Sequence, residues 1–160
     1  MPTFAIESNG LLEKTAVYYN GEQLGGVREI FLNIDEEGTF DAIIQYVGKR
    51  GEVLSKQIFT DYLDDVRIVP PAFSEEEARN LRMLTVESNG DLDSTLILVN
   101  DEPLEGVVSL YVHIKSGGVQ NKSGLRALFG KDTIPDRDEF RAEITFRNED
   151  DSLETEGIFT

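Results

Sequence analysis

VYYNGEQLGGVREIFLNI occupies residues 17–34 and returns, altered but recognisable, as ILVNDEPLEGVVSLYVHI at residues 97–114. Both copies end on the same alternation. Ile30, Leu32 and Ile34 alternate with Phe31 and Asn33, and Leu110, Val112 and Ile114 alternate with Tyr111 and His113. A period of two sends successive side chains to opposite faces of an extended chain, so each stretch reads as a strand with one face in a core. The same pattern recurs further on. Phe40, Ala42, Ile44 and Tyr46 have counterparts in Phe140, Ala142, Ile144 and Phe146.

Working outward, residues 4–34 align with 84–114 without a gap, with 12 identities in 31 positions. The most literal repeat is Glu7-Ser8-Asn9-Gly10 against Glu87-Ser88-Asn89-Gly90. Ile58-Phe59 matches Ile158-Phe159 near the end, so the offset grows from 80 to 100 and the second copy holds 20 extra residues between Ile114 and Phe140. The chain reads as a tandem duplication. Turn formers punctuate the strands at Asn9-Gly10, Asn20-Gly21, Gly25-Gly26, Glu37-Gly38 and Gly48-Lys49-Arg50-Gly51. Asn9-Gly10 and its repeat predict a type I′ hairpin turn, a scaffold signature rather than a binding site used twice. The expected fold is all-β with minor α, about five strands per copy. It forms two tandem antiparallel β-sandwich or small-barrel modules joined by a short helical linker.

The boundaries follow from composition. Module one spans 1–69, the linker 70–83, and module two 84–160, with its insertion inside 115–139. Pro70-Pro71 ends the first module, and Ser74-Glu75-Glu76-Glu77 has the spacing of a capping box, Ser74 at N-cap and Glu77 at N3. The acidic first turn complements the helix dipole, so these glutamates are read as helix capping rather than a cation site. A helix is predicted over about 75–82.

The chain has 31 Asp+Glu against 15 Lys+Arg, a formal net charge of −16. Such a surface repels phosphate and anionic lipid, which argues against nucleic acid and membranes as direct partners. With no cysteine, disulfides, thiolate catalysis and Cys-ligated zinc are excluded. The opening residues carry neither a basic segment nor a signal-length apolar core, and no stretch has the roughly 18 apolar residues of a span. A soluble, cytoplasmically made protein is expected.

Catalytic constellations are missing from the pattern. His113, the only histidine, falls on the outward side of its strand opposite Asn33 in the alignment and reads as a polar surface residue, since a general base needs a positioned partner. No Gly-x-Ser-x-Gly elbow occurs. Asp91 and Asp93, and Glu149-Asp150-Asp151, resemble fragments of calcium loops, but the spaced ligands and terminal glutamate of an EF-hand are not there. No enzyme activity, metal or cofactor is expected.

The insertion is the distinctive feature. Residues 115–137 hold Lys115, Lys122, Arg126, Lys131 and Arg137 against Asp132 and Asp136, a net of +3, whereas the rest of 81–160 carries −11. Leu125, Leu128 and Phe129 would share one face of a short helix. Two readings stand: a loop tucked onto its own acidic body, or a docking arm presenting an apolar knob and basic groups. Under the second, Lys115, Lys122, Leu125, Arg126, Leu128, Phe129, Lys131 and Arg137 contact a partner.

The quoted stretches at 17–34 and 97–114 also resemble small β-sandwich accessory modules of tailed-phage virions. They share apolar-x-Asn-Gly-x-x-Leu-x-Gly-Val followed by an alternating strand, with Asp101 in the glycine's place in the second. The resemblance implies a decoration or tail-associated protein that works through surfaces and meets other protein subunits, in a homo-oligomer or a virion shell. Two other functions compete with this one. The charge suits an acidic inhibitor or nucleic-acid mimic filling a basic groove on a partner protein, whose binding would weaken steeply with salt. A cleft between the copies could instead hold a small ligand.

Overall fold

The computed structural model describes residues 2–116 and 139–159. The first repeat forms β1 (Thr3–Ser8), β2 (Ala16–Tyr19), β3 (Glu22–Gly25), β4 (Val27–Asp35), β5 (Phe40–Val47) and β6 (Val53–Gln57). The second forms β8 (Arg82–Glu87), β9 (Leu96–Val99), β10 (Glu102–Pro103), β11 (Val107–Lys115), β12 (Glu139–Arg147) and β13 (Leu153–Gly157). Between them lie β7 (Arg67–Ile68) and the one-turn helix α1 (Glu75–Ala78). The fold is all-β, as the alternation predicts. Among the described residues each repeat has six strands rather than five.

The strands make two antiparallel sheets. Sheet I has the order β10-β9-β8-β1-β2-β3-β7, and sheet II the order β13-β12-β11-β4-β5-β6. Both sheets run through both repeats: β1 pairs with β8, and β4 with β11. The register at these junctions is symmetric. Ala5 stands opposite Thr85, its own counterpart, with Phe4 facing Val86 and Ile6 facing Leu84. Leu32 stands opposite its counterpart Val112, with Ile30 facing Ile114 and Ile34 facing Leu110. Antiparallel pairs centred on equivalent residues place a pseudo-two-fold axis between the repeats, the arrangement of a symmetric dimer joined into one chain.

A single core fills the space between the sheets. Phe4, Ile6, Ile30, Leu32, Ile44 and Tyr46 of the first repeat pack in one cluster with Leu84, Val86, Leu110, Val112 and Ile144 of the second. Leu32 and Val112 are fully excluded from solvent, and burying a side chain of this size contributes about 1.5–3 kcal/mol. Among the described residues, no helix is long and apolar enough to cross a membrane.

One local prediction holds and two do not. The capping box is present: the Glu77 N–H donates to Ser74 Oγ, and the Ser74 N–H to Glu77 Oε1, each at 3.2 Å. The helix stops early because Asn80 and Leu81 donate to carbonyls three residues back, at 3.1 and 3.0 Å, a tightening that ends in β8. The connection turns back past β3 and the Leu12–Lys14 turn. There the Ala72 N–H donates to Gln23 Oε1 at 2.7 Å, and Lys14 Nζ lies 3.6 Å from Glu77 Oε2.

The Asn9-Gly10 segment is not a type I′ turn. Gly10 has φ 98 but Asn9 has no positive φ, and the chain continues through a 3-10 turn at Leu12–Lys14 before β2 begins. The reason lies in Ser8, which is wholly buried. Its hydroxyl accepts from the Gly10 N–H at 3.0 Å and meets Thr15 Oγ1 at 2.8 Å. Ser88 does the same with Gly90 and Thr95, at 2.9 and 2.8 Å. The repeated, buried serine satisfies a turn N–H that has no strand partner.

The real type I′ turns join β2 to β3 and β9 to β10. Asn20 and Gly21 take φ 51 and 87, while Asn100 and Asp101 take 52 and 67. A side chain at the second of these positions is strained, since the left-handed region crowds Cβ. Asp101→Gly is therefore expected to stabilise the fold by roughly 0.5–1 kcal/mol. This should appear as a thermal midpoint about 2–4 °C higher for each kcal/mol gained. A lower midpoint would show that the Asp101 side chain makes a contact that outweighs the strain.

Candidate functional site

Sheet II turns one face away from the core, and its centre carries an aromatic and charged cluster. The register sets Phe31 on β4 beside His113 on β11, and His113 beside Arg141 on β12. The Phe31 ring stands edge-on to Tyr111 and to His113, each with centroids 5.8 Å apart. Arg141 lies over Tyr111 at 4.7 Å. His113 Nε2 is 2.6 Å from Glu29 Oε2, and Nδ1 is 2.6 Å from Glu139 Oε2. Carboxylates only accept, so both contacts are hydrogen bonds when the ring is the imidazolium. His113 thus ties β4 of the first repeat to β12 of the second. Among the described residues, no three His, Asp or Glu side chains converge as a metal site.

Of the partner-binding residues expected from sequence, Lys115 ends β11 on this face, in register with Glu29 and Glu139. Lys122, Leu125, Arg126, Leu128, Phe129, Lys131 and Arg137 lie outside the described residues. The two ends of that segment are well placed in the sheet. Ser116 donates its N–H to Arg28 O at 2.9 Å, and Glu139 pairs with Lys115. The corresponding hairpin of the first repeat, β4 to β5, closes over residues 36–39. There Asp35 Oδ1 accepts from the N–H groups of Glu37 and Thr39 at 3.0 and 3.1 Å. These bonds, Thr39's first, hold the Asp35 carboxyl below the usual carboxylate range.

Two clefts open between the sheets at pseudo-symmetric places. The first, about 360 Å³, is lined by Leu12, Thr15, Val17, Leu24 and Arg28, and by Ile114 of the second repeat. The second, about 230 Å³, is lined by the counterparts Leu92, Thr95, Ile97, Leu104 and Val108, and by Ile34 of the first repeat. Each cleft is completed by two residues from the other copy, Ile114 and Ser116 in the first and Ile34 and Asp35 in the second. Their charge differs: among the described residues, Arg28 is the one charged side chain lining the first, and Asp35 the one lining the second.

Arg28 owes its position to a β-bulge. On β4, Val27 pairs with Tyr46 and Glu29 with Gln45, which leaves Arg28 as the extra residue. A bulge turns a side chain off the alternating pattern. Val108 occupies the same irregularity on β11, between Val107 and Ser109. At Gly26, φ is 74 and a Cβ would come within 2.9 Å of Val47 O, so the step from sheet I to sheet II beside this bulge requires glycine. Sequence reasoning passed over Arg28. The available signal was a cation in one copy facing a valine in the other. No protein-family model, curated protein or solved structure matches the chain.

Proposed function

We propose that the protein is a non-enzymatic structural or interaction protein, a virion accessory of the decoration or tail-associated kind. It meets other subunits through the 115–137 arm. One observation carries the reading. The hairpin that residues 36–39 close in the first repeat is interrupted by residues 116–138 in the second. Closing this hairpin needs only four residues, so the extra ones serve another purpose. Their net +3 contrasts with −11 over the rest of 81–160, which suits an acidic patch on a partner. The root of the arm is rigid, since β11 is paired on both sides. The internal repeat is read as the duplication of a symmetric dimer, which gave one hairpin freedom to acquire a binding arm while its twin kept the frame.

The test replaces residues 116–138 with a copy of residues 36–39. The variant is expected to keep its far-UV circular dichroism and to lose its assembly. Sedimentation velocity reads self-association, and cross-linking in the source cells reads contact with other subunits. Assembly that matches the unaltered chain in both measurements removes the arm from the function.

A further inference from the structure

We infer that the cleft beside Arg28 is a binding site for a small ligand that carries one carboxylate on a short apolar body. The argument begins with an unmet donor. Arg28 Nε is buried and has no hydrogen-bond partner. The chain has 31 Asp+Glu, yet none of the described ones pairs with this guanidinium. A buried donor on a charged group that no protein acceptor meets costs free energy, and an entering acceptor removes that penalty. The twin cleft shows that the fold does not need it, because Val108 fills the same bulge position.

The surroundings define the ligand. A guanidinium edge offers two parallel N–H donors, which match the two oxygens of a carboxylate. The walls behind it are apolar, with Leu12, Val17, Leu24, Val27 and Ile114 among them, and Thr15 and Gln23, already bonded to Leu11 O and the Ala72 N–H, complete the neutral lining. With a single lining cation among the described residues, in a protein of net charge −16, a monoanion is favoured over a dianionic phosphate. A cleft of about 360 Å³ lies at the small end of ligand pockets, which run from about 300 to 1,000 Å³. This site goes beyond the assembly role above and does not depend on it.

The experiment titrates the full chain with hexanoate while following the Arg28 Nε–H resonance and the backbone amides by NMR. Hexanol supplies the apolar body without the charge, and inorganic phosphate the charge without the body. Hexanoate is expected to shift Arg28 Nε–H and the amides of Thr15, Gln23 and Ser116 saturably. Hexanol and phosphate should each bind about tenfold more weakly or less. Arg28→Val, which installs the residue of the twin cleft, should weaken hexanoate by about tenfold or more. Without ligand it should raise the thermal midpoint by about 2–4 °C. Three results would overturn the proposal: no saturable shift with hexanoate, equal hexanoate affinity in Arg28→Val, or shifts confined to residues outside the cleft. A lower midpoint for the ligand-free variant would mark Arg28 as a structural group and count against the site.

Discussion

Residues 1–81, produced alone, are expected to fold only as a dimer. In the whole chain, β1 meets β8 through six residue pairs and β4 meets β11 through seven. Cutting the chain after residue 81 removes both partners. It uncovers the edges of two sheets and the flanks of Phe4, Ile6, Ile30, Leu32 and Ile34, which the second repeat covers. A unit of about 80 residues buries only a little over 60% of the surface of its unfolded chain, which leaves it marginal even with both edges intact. The symmetric register supplies a remedy. Because the junctions centre on Ala5 and Leu32, a second copy of 1–81 would bring Ile6 opposite Phe4, Ala5 opposite Ala5, and Ile30 opposite Ile34. These core-facing pairs are all apolar, although Glu29 would stand opposite Asp35 at each end of the β4 seam, and the contact closes on itself without leaving a free edge at the axis. Sedimentation equilibrium with far-UV circular dichroism over a dilution series checks this. Loss of strand signal should accompany dissociation. A folded monomer at micromolar concentration would show that the half holds a sufficient core of its own.

That symmetric junction also marks where sequence reading reached its limit. The alternation at Ile30–Ile34 and Leu110–Ile114 is local, and it identifies the buried face because one side of sheet II packs on sheet I. The Ser74–Glu77 capping box was legible for the same reason, since both partners lie within four residues. Which strand lies beside β4 is a different kind of fact. Nothing in the neighbourhood of Leu32 names Val112 as its partner, because strand pairing is decided between distant segments. Hence the repeat was evident while the merging of the copies into shared sheets was not. The Glu-Ser-Asn-Gly segments failed differently. Their Asn-Gly pair satisfies the hairpin rule, but the buried Ser8 and Ser88 hydroxyls capture the Gly10 and Gly90 N–H groups and turn the chain into a longer corner. The candidate cleft was the least legible. Arg28 points off pattern only because β5 contributes one residue fewer than β4 at that level, and the contacts of His113 with Glu29 and Glu139 come from two other strands.

Raising the pH from 10 to 12 is expected to cost this fold several kcal/mol, through two tyrosines. Tyr46 is fully buried and donates its hydroxyl to Asp64 O at 2.7 Å. Burial, with the nearby charge of Asp64, pushes its phenol up to about 12. Tyr18, on the outward face of sheet I, donates to Glu7 Oε1 at 3.0 Å, and burial with that carboxylate also pushes its phenol up to about 12. An unfolded tyrosine ionises near pH 10. Below that pH both states keep their phenol protons and the stabilisation is complete. Between 10 and 12 the unfolded chain releases protons that the folded chain retains, so stability falls with rising pH, by at most ~1.4 kcal/mol per unit for each ring. The total is on the order of 2 kcal/mol per tyrosine, which together is a large share of an ordinary domain's 5–15 kcal/mol. Urea midpoints measured at pH 9, 10, 11 and 12 should decline most steeply over the last two steps. Tyr46→Phe provides the control, since Phe146 already fills the equivalent position in the second repeat. The variant should be less stable at pH 8 by about 1–2 kcal/mol, because Asp64 O loses its donor, yet its midpoint should decline less between pH 10 and 12. A variant that follows the parent curve in parallel would move the alkaline sensitivity away from Tyr46. Tyr18→Phe would then carry the whole of it, through the half-buried hydroxyl that meets the buried Glu7 carboxylate.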